Sequence, residues 1–561
     1  MRLAKAYQAG MSSILQHLGI AIRHPPAQQG RSGLGWHSGG IEQILPTGRH
    51  PVKRPEAQPR LHPPASRLGL GQGAFLGQTG VDAVSQRMLP DCRQVCLGQR
   101  DRIDFARTDP PPKLCRAHSQ PSIRHVGPFP VSARTVTPHT CMDNPEAPIN
   151  TVRMEHESDI LIIGGGLNGP ALALALADQG FCVKIIDALP ANARASDDFD
   201  GRSYALALAS QRLLAALGLW DHLCDNSQPI LEVKVTDGRA GEGPAPFMLH
   251  MHHGEIEEGP LGYMLEDRFL YRALADAIAA HPAITLISGR TVTDQETDAT
   301  GATITLDCGE QHCARLLAGC DGRRSGTAQR AGIRRQGHDY GQTALVCAIE
   351  HETPHNGIAH QFFMPSGPLA ILPLPGRRTS IVWSTTTEEA TRINALPDAG
   401  YLEVLKPRFG SFLGTIRLAG KRFTYPLDLT LAERYVVPRV ALVGDAAHGV
   451  HPIAGQGLNL GLRDVAALAE VLTEARRRGE DFASLSVLER YQRWRRFDST
   501  VLALGMDTVN MLFSNDNSLL RLGRDLGLGL VNALPALKRR FIREAAGLAG
   551  DLPRLMQGRP I

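Results

Sequence analysis

RVALVGDAAHGVHPIAGQGLNLGLRD, running from Arg439 to Asp464, is the stretch whose reading decides the fold. Four apolar residues, Val440 to Val443, predict a buried strand. Gly444-Asp445 ends it, a glycine-rich loop follows, and the pattern predicts a helix from near Asn459. Gly444, Gly455, Gly457 and Gly461 let the main chain come close to a ligand, because no Cβ stands in the way. A helix N-terminus adds unpaired N–H groups and the positive end of the helix dipole. A carboxylate at a strand end can only accept hydrogen bonds, which suits the hydroxyls of a ribose or ribityl chain. A plain strand–loop–helix joint carries the same pattern, so the stretch needs a second signature before it means a nucleotide.

That signature lies far upstream. Asp159 to Ile163 reads as a fully buried strand, and Gly164-Gly165-Gly166-Leu167-Asn168-Gly169 follows it. An Ala/Leu-rich helix is expected from Pro170 to about Gln179, stopped by Gly180. Pro170 fits a first turn, whose N–H groups are unpaired in any case. Cys182 to Ile186 is the next strand, and Asp187 closes it. Gly164, Gly166 and Gly169 between strand and helix, with Asp187 beyond, form a dinucleotide fingerprint in its required setting. The glycines permit the tight turn, the approach to a pyrophosphate and the helix–strand contact, while Asp187 accepts from ribose hydroxyls. The fingerprint does not separate NAD from FAD. The 439–464 stretch does, since a nicotinamide has no use for a second, distant carboxylate-and-glycine loop. The ribityl chain and ring of FAD reach well beyond one βαβ unit.

Outside these motifs the composition divides sharply. Residues 1–153 hold 18 of the 38 prolines and 19 Lys and Arg against 9 Asp and Glu; the remainder holds 41 and 47. The net charge of +4 therefore belongs to the leader, and the acidic body gives no reason to expect a nucleic-acid partner. Proline clusters and missing periodicity predict disorder over 1–153. Met154, just before the first strand, is the expected start of the natural product; a transit peptide is the rival reading, since no acid precedes Glu42. A hydrophobic content of 43% matches a globular body with a sizeable core. No run of about 20 apolar residues occurs, so no spanning helix is expected. Cys182, Cys308, Cys313, Cys320 and Cys347 lie in or beside apolar segments and read as reduced core thiols of a cytoplasmic protein. Cys92, Cys96, Cys115 and His118 are poorly spaced for a metal, and no metal site is expected.

Helices are expected at 210–217 and 267–280, and strands near 284–288, 302–306 and 315–319, the last leading to Asp321-Gly322. Alternation and turns over 341–425 predict an antiparallel sheet. The expected architecture is α/β. A discontinuous Rossmann-like FAD-binding domain occupies 154–340 and 426–480, a β-rich substrate domain 341–425, and helices 481–561, behind the leader 1–153.

The fingerprint at 164–169, Asp321-Gly322 and Gly444-Asp445 together resemble the three motifs of the class A flavin-dependent aromatic hydroxylases. Within that class, His451 to Asp464 is similar to the signature of the ubiquinone-biosynthesis hydroxylases of the 2-polyprenyl-6-methoxyphenol type. Asp200-Gly201-Arg202 and the SYALALASQRLLAALGLW after it resemble the same group. The likeness covers about 158–548. It implies FAD, held by Gly164, Gly166, Gly169, Asp187, Arg202, Arg268, Asp321, Gly322, Gly444, Asp445, Gly457 and Asn459. In that scheme Asp445 holds the ribityl chain, Asp321 and Gly322 support the pyrophosphate and the encounter with NAD(P)H, and Arg202 and Arg268 lie near FAD. Pro452, Gly455, Gln456 and Gly457 line the flavin ring. No catalytic side chain is implied, because the flavin carries the chemistry. One departure stands out: the family's DGxxSxxR run has Ala328 at the arginine position, with Arg330 two residues on.

The implied activity is a monooxygenation. NAD(P)H or another donor reduces FAD, O2 adds at the flavin C4a, and the distal oxygen of that hydroperoxide passes to a phenol ring in a site that excludes water. The implied substrate is a polyprenylated phenol on the ubiquinone pathway. A hydroxylase of a small soluble aromatic, an isoprenoid flavin reductase and a flavin-binding assembly subunit are the other readings; Ile381-Val382-Trp383 without a WxWxIP-like run disfavours a halogenase. His448 and His451 read as positioned hydrogen-bond partners rather than general bases. Trp494, Phe497, Leu502, Leu504, Met511, Leu512 and Phe513 form an apolar helical face, extended by Leu519 to Leu537 beside Lys538, Arg539, Arg540 and Arg543. Ordinary packing explains such a face. A peripheral contact with the inner face of a membrane, or with a quinone-biosynthesis complex, explains it too and would deliver a polyprenyl tail to the flavin.

Overall fold

The computed structural model describes residues 157–561 except 191–192, 194–197, 242 and 514–526. The leader, the expected start at Met154 and the group Cys92, Cys96, Cys115 and His118 lie outside the described residues.

Strand β1 (Ser158–Ile163) is an unbroken apolar run in which Ile160, Leu161 and Ile162 expose nothing. Only a sheet covered on both faces accommodates such a strand. The chain turns into α1 (Asn168–Ala177), whose residues from Gly169 onward are all buried. Small Ala side chains let this helix sit close under its neighbours. The chain returns as β2 (Val183–Asp187). Much later come β3 (Gln311–Gly319), β4 (Val440–Leu442), α2 (Gln456–Arg477) and α3 (Leu485–Phe513). The sheet runs Val436–Val437, β4, β3, β1, β2, Ile284–Ser288. β1 is parallel to both β2 and β3, β3 to β4, and β2 to Ile284–Ser288. Ile163 stands opposite Gly319 and Ile186, and Gly319 opposite Leu442. This register puts the loops after β1, β2, β3 and β4 along one carboxyl edge, where open α/β sheets bind their ligands.

A second sheet of nine strands runs His448–Gly449, Phe423–Ala432, Arg335–His351, Arg378–Thr386, Leu369–Leu374, Ile358–Phe363, Glu232–Arg239, Gly243–His252. Ile416–Leu418 pairs beside Arg335–His351. Leu345, Cys347, Ile349, Phe362 and Trp383 face one way, under Ala390, Ile393, Tyr401 and Leu405 of two covering helices, Thr387–Asn394 and Asp398–Phe409. Residues alternate along a strand, so Ala348, Ala359 and Phe363 face the opposite way. Two strands of this sheet come from 232–252, well upstream of 341, and the strands Arg335–His351 and Phe423–Ala432 run across 341 and 425. Gly238, Gly241 and Pro244 interrupt the alternation there, which is why pattern alone does not reveal that pair. A third, three-stranded sheet joins Ser203–Ala207, Gly262–Glu266 and Ser227–Ile230.

The cysteines correct one expectation. Cys182 and Cys308 are exposed and Cys313 and Cys320 half-buried; of the five, Cys347 alone is fully buried. Apolar neighbours in a strand say little about a residue whose side chain points the other way or whose position lies just outside the strand. The thiols of all five are free. Among the described residues no helix is long and apolar enough to cross a membrane, and no cluster of His, Cys, Asp and Glu could hold a metal ion.

Candidate functional site

The loop after β1 is built for close approach. Gly164 has φ 109°, and a Cβ there would collide with the Cys320 carbonyl at the end of β3. A Cβ on Gly169 would run into the Gly164 carbonyl. Gly166 differs, for nothing lies within 4 Å of where its Cβ would stand. The first-turn N–H groups of α1 open onto this loop, the arrangement that binds a phosphate anion. Asp187 ends β2 against the same loop: a Cβ on Gly165 would stand 2.6 Å from its Oδ2.

The loop after β4 completes the edge. Gly444 has φ 63° and opens a single turn, Gly444–Ala446. A Cβ on Gly444 or Gly461 would collide with the Asn168 side chain, which thus wedges between the β4 loop and α2 at the start of α1. The Gly444 N–H donates to Asp464 Oδ2 (3.0 Å), the His448 Nε2 lies 2.6 Å from the same oxygen, and Arg495 Nε donates to Asp464 Oδ1 (2.8 Å). The side chains of His448, Asp464 and Arg495 are 0% exposed. Burial raises the Asp464 carboxyl, but His448 and Arg495 together outweigh it and hold the group below the usual carboxylate range.

Asp445 is the opposite case. Its side chain is 34% exposed and accepts from Arg323 Nε at 3.3 Å. The same guanidinium donates to Asp428 Oδ1 (2.5 Å) and to the Val450 carbonyl (2.6 Å). Arg323 thereby fixes Asp445 relative to both sheets. No sequence pattern singled it out; its place directly after Asp321-Gly322 is the signal that could have.

The remaining expected residues fall as follows. Asp321 accepts from Ser325 Oγ and from the Thr327 N–H (2.9 Å), so its carboxylate organises the turn into the short helix Gly326–Arg330. Gly322, at φ 75°, faces open space. Ala328 is fully buried and Arg330 donates to the Val292 carbonyl (3.2 Å), which commits that arginine to the neighbouring strand. Arg202 pairs with Asp200 (2.9 Å) and Asp267 (3.1 Å) and lies over the Phe423 ring. Arg268 pairs with the buried Glu266 (2.8 Å), which Arg378 also holds (2.7 Å). Asn459 uses its whole amide on protein. Its oxygen accepts from Ala207 N and Ser210 Oγ, and its nitrogen donates to the Ala205 and Gly455 carbonyls. Asn459 thus ties the start of α2 to strand Ser203–Ala207, leaving only its backbone for a ligand.

Pro452 to Gly457 lead into α2. Gly455 is left-handed (φ 63°), and a Cβ on it would press on Ala205 at 2.9 Å; Gly457, like Gly166, has nothing within 4 Å. The open space at these two glycines, one on each loop, is a cradle that side chains would fill, and it suits the pyrophosphate and the ring of an FAD. Ile453 packs with Phe363 of the nine-stranded sheet and Phe513 of α3, whose rings lie 4.2 Å apart. His451 is 1% exposed, meets the Tyr340 ring at 5.1 Å, and finds no hydrogen-bond partner for either ring nitrogen among the described residues. Burial, with Arg323 nearby, pushes its imidazole down to about 4, so it is neutral at physiological pH. Two clefts, of about 930 Å³ at Phe362, Met364 and Phe409 and about 430 Å³ at Lys234, His360 and Phe362, open on the helix-covered face of the sheet. Phe363 points away from that face, so neither cleft belongs to this site.

Residues 157–500 match the family model described as an FAD binding domain. The chain is 46% identical over 407 residues to the ubiquinone hydroxylase UbiL of Rhodospirillum rubrum, covering 72% of this chain and 94% of the relative. It is 37% identical to the 3-demethoxyubiquinol 3-hydroxylase of Escherichia coli, over 70% of this chain and 99% of the relative. The p-nitrophenol 4-monooxygenase PnpA of Pseudomonas putida has the same fold, with a TM-score of 0.59 at 19% identity over 71% of this chain and 99% of that one.

Proposed function

The chain belongs to the FAD-dependent hydroxylases of ubiquinone biosynthesis, within the flavoprotein aromatic monooxygenases, and from that membership we propose that it hydroxylates the ring of a polyprenylated phenol with O2 as co-substrate and NAD(P)H as electron source. When bound, FAD supplies the electron storage and oxygen activation that no side chain of this site offers. Gly164, Gly166 and Gly169 with the start of α1 would hold the pyrophosphate, and Asp187 a ribose. Asp445 would take the ribityl hydroxyls, and Pro452 to Gly457 with the start of α2 the ring edge. Arg323, bonded to Asp445, would hold its carboxylate in place for that ligand. Phe363, Ile453 and Phe513 form an apolar wall, and the neutral His451 adds no charge beside it. A dry wall excludes water from oxygen transfer and suits a prenyl tail. The observation that carries this reading is the junction of the two: the loop that follows Asp445 closes on those apolar side chains.

Profiling quinone intermediates in a strain lacking the gene tests the substrate. A polyprenylated phenol one hydroxyl short should accumulate; unchanged quinone levels would point to a small soluble aromatic instead. Peripheral contact with a membrane is part of the proposal. Phe497, Met511, Leu530 and Phe541 are 37–60% exposed on the C-terminal helices, and the exposed Arg539 and Arg540 directly precede Phe541. Apolar and basic residues together are what an anionic lipid surface attracts.

A further inference from the structure

Helix α3 reaches the surroundings of Asp445 at three points. Tyr491 donates from its hydroxyl to the Leu442 carbonyl (2.7 Å). Gln492 accepts from the Tyr435 N–H (2.7 Å). Arg495 reaches Asp464, and through it the Gly444 N–H. The Arg495 guanidinium is held besides by Asp498 (3.3 Å) and Ser499 (3.1 Å). A fully buried guanidinium is costly unless a counter-charge meets it, and the side chain that does so here sits at the end of the motif from which the fold was read. Asp464 in turn accepts the N–H of the residue just before Asp445, at the point where the chain leaves β4 in a left-handed turn. It also holds His448, three residues beyond Asp445, so the carboxylate pins both ends of the segment. With no exposed surface, neither Asp464 nor Arg495 can reach a ligand in the loop.

We propose that Asp464, its charge met by Arg495, is a positioning residue for the flavin: accepting from the Gly444 N–H and holding His448, it aims Asp445. This rests on the FAD reading above. Asp464→Leu/Arg495→Met replaces the pair by apolar groups of similar size, a change that buried ion pairs often tolerate, and removes the acceptor for Gly444. Asp464→Asn/Arg495→Met removes the same charges but keeps an amide oxygen that can accept from Gly444.

The test strips full-length protein of FAD and titrates it back, following flavin absorbance and fluorescence, with the melting temperature of each apoprotein measured alongside. The Leu/Met variant should bind FAD at least about tenfold more weakly, and the Asn/Met variant within about threefold of the unaltered protein. Equal affinities in all three, or losses that simply track the melting temperatures, overturn the proposal. Arg495→Gln supplies a second readout: hydrogen exchange of peptides over 440–446 should quicken while those over 158–163 do not change, and uniform exchange would contradict it. Unaltered protein that takes up no FAD would remove the cofactor reading itself, a different result from either.

Discussion

Asp445, in the loop after β4, and Asp464, on α2, do opposite work. Asp445 is part-exposed with one guanidinium at its side, so its lone pairs are available to hydroxyls. Asp464 spends both oxygens on protein. Asp445→Ala should therefore yield folded protein that purifies without yellow colour; full flavin retention would make the carboxylate structural only. Arg323→Ala frees Asp445 and Asp428 from their common partner and should weaken FAD binding by about tenfold, equivalent to roughly 1.4 kcal/mol. Unchanged affinity would show that Asp445 orients itself. Gly164→Ala forces a Cβ onto the Cys320 carbonyl at a φ that L side chains rarely adopt. A stability loss of about 2–4 kcal/mol is expected from collision and backbone strain together, read from a urea unfolding curve; a loss under about 0.5 kcal/mol would mean the turn relaxes freely. The glycines and Asp445 were legible because their meaning is local: a strand before, a helix after. Arg323 was not, since an arginine after Asp-Gly looks like any surface ion-pair residue until Asp428 and Val450, far along the chain, are brought to it. Arg330 shows the converse, for proximity in sequence to the motif left it bonded to Val292.

At the scale of elements, the parallel sheet was readable because buried strands are nearly continuous apolar runs; β2 ends in Asp187, and β1 and β4 stop just short of Gly164 and Gly444. The antiparallel sheet was read only in its middle. Its strands Glu232–Arg239 and Ile358–Phe363 pair in parallel across a long stretch of chain, a register that no local pattern encodes. The same sheet bears a testable pH response. Burial pushes His360, on the helix-covered face, and His451, beside the ring loop, both down to about 4. An unfolded chain binds those protons near pH 6.5, the folded one only near 4, so the unfolded state holds more protons in between. Stability should thus fall as pH drops from about 6.5 to about 4. Denaturation midpoints at about pH 7 and about pH 4.5 measure it, and His360→Leu should shrink the difference. A midpoint that does not move over that range would contradict the burial of these imidazoles. Asp464, held low by His448 and Arg495, adds its own loss only below the ordinary carboxylate range.

For the whole molecule, the two glycine-rich loops lie far apart in sequence and meet because β1 and β4 flank β3 in register. The apolar wall arises the same way, from Phe363, Ile453 and Phe513, one residue from each of three distant segments. That is why the sequence could single out the two glycine-rich loops and leave the apolar wall unassigned. The exposed apolar side chains of the C-terminal helices predict flotation of the full chain with liposomes containing anionic lipid; no binding with or without anionic lipid would remove the membrane from the proposal. The most direct measurement gives the purified, FAD-loaded protein NAD(P)H, a polyprenylated phenol and isotopically heavy O2, and weighs the product. One heavy oxygen atom should enter the ring for each NAD(P)H oxidised, the other leaving as water. Oxidation of NAD(P)H with all the O2 recovered as H2O2, and the phenol unlabelled, would contradict the hydroxylase assignment.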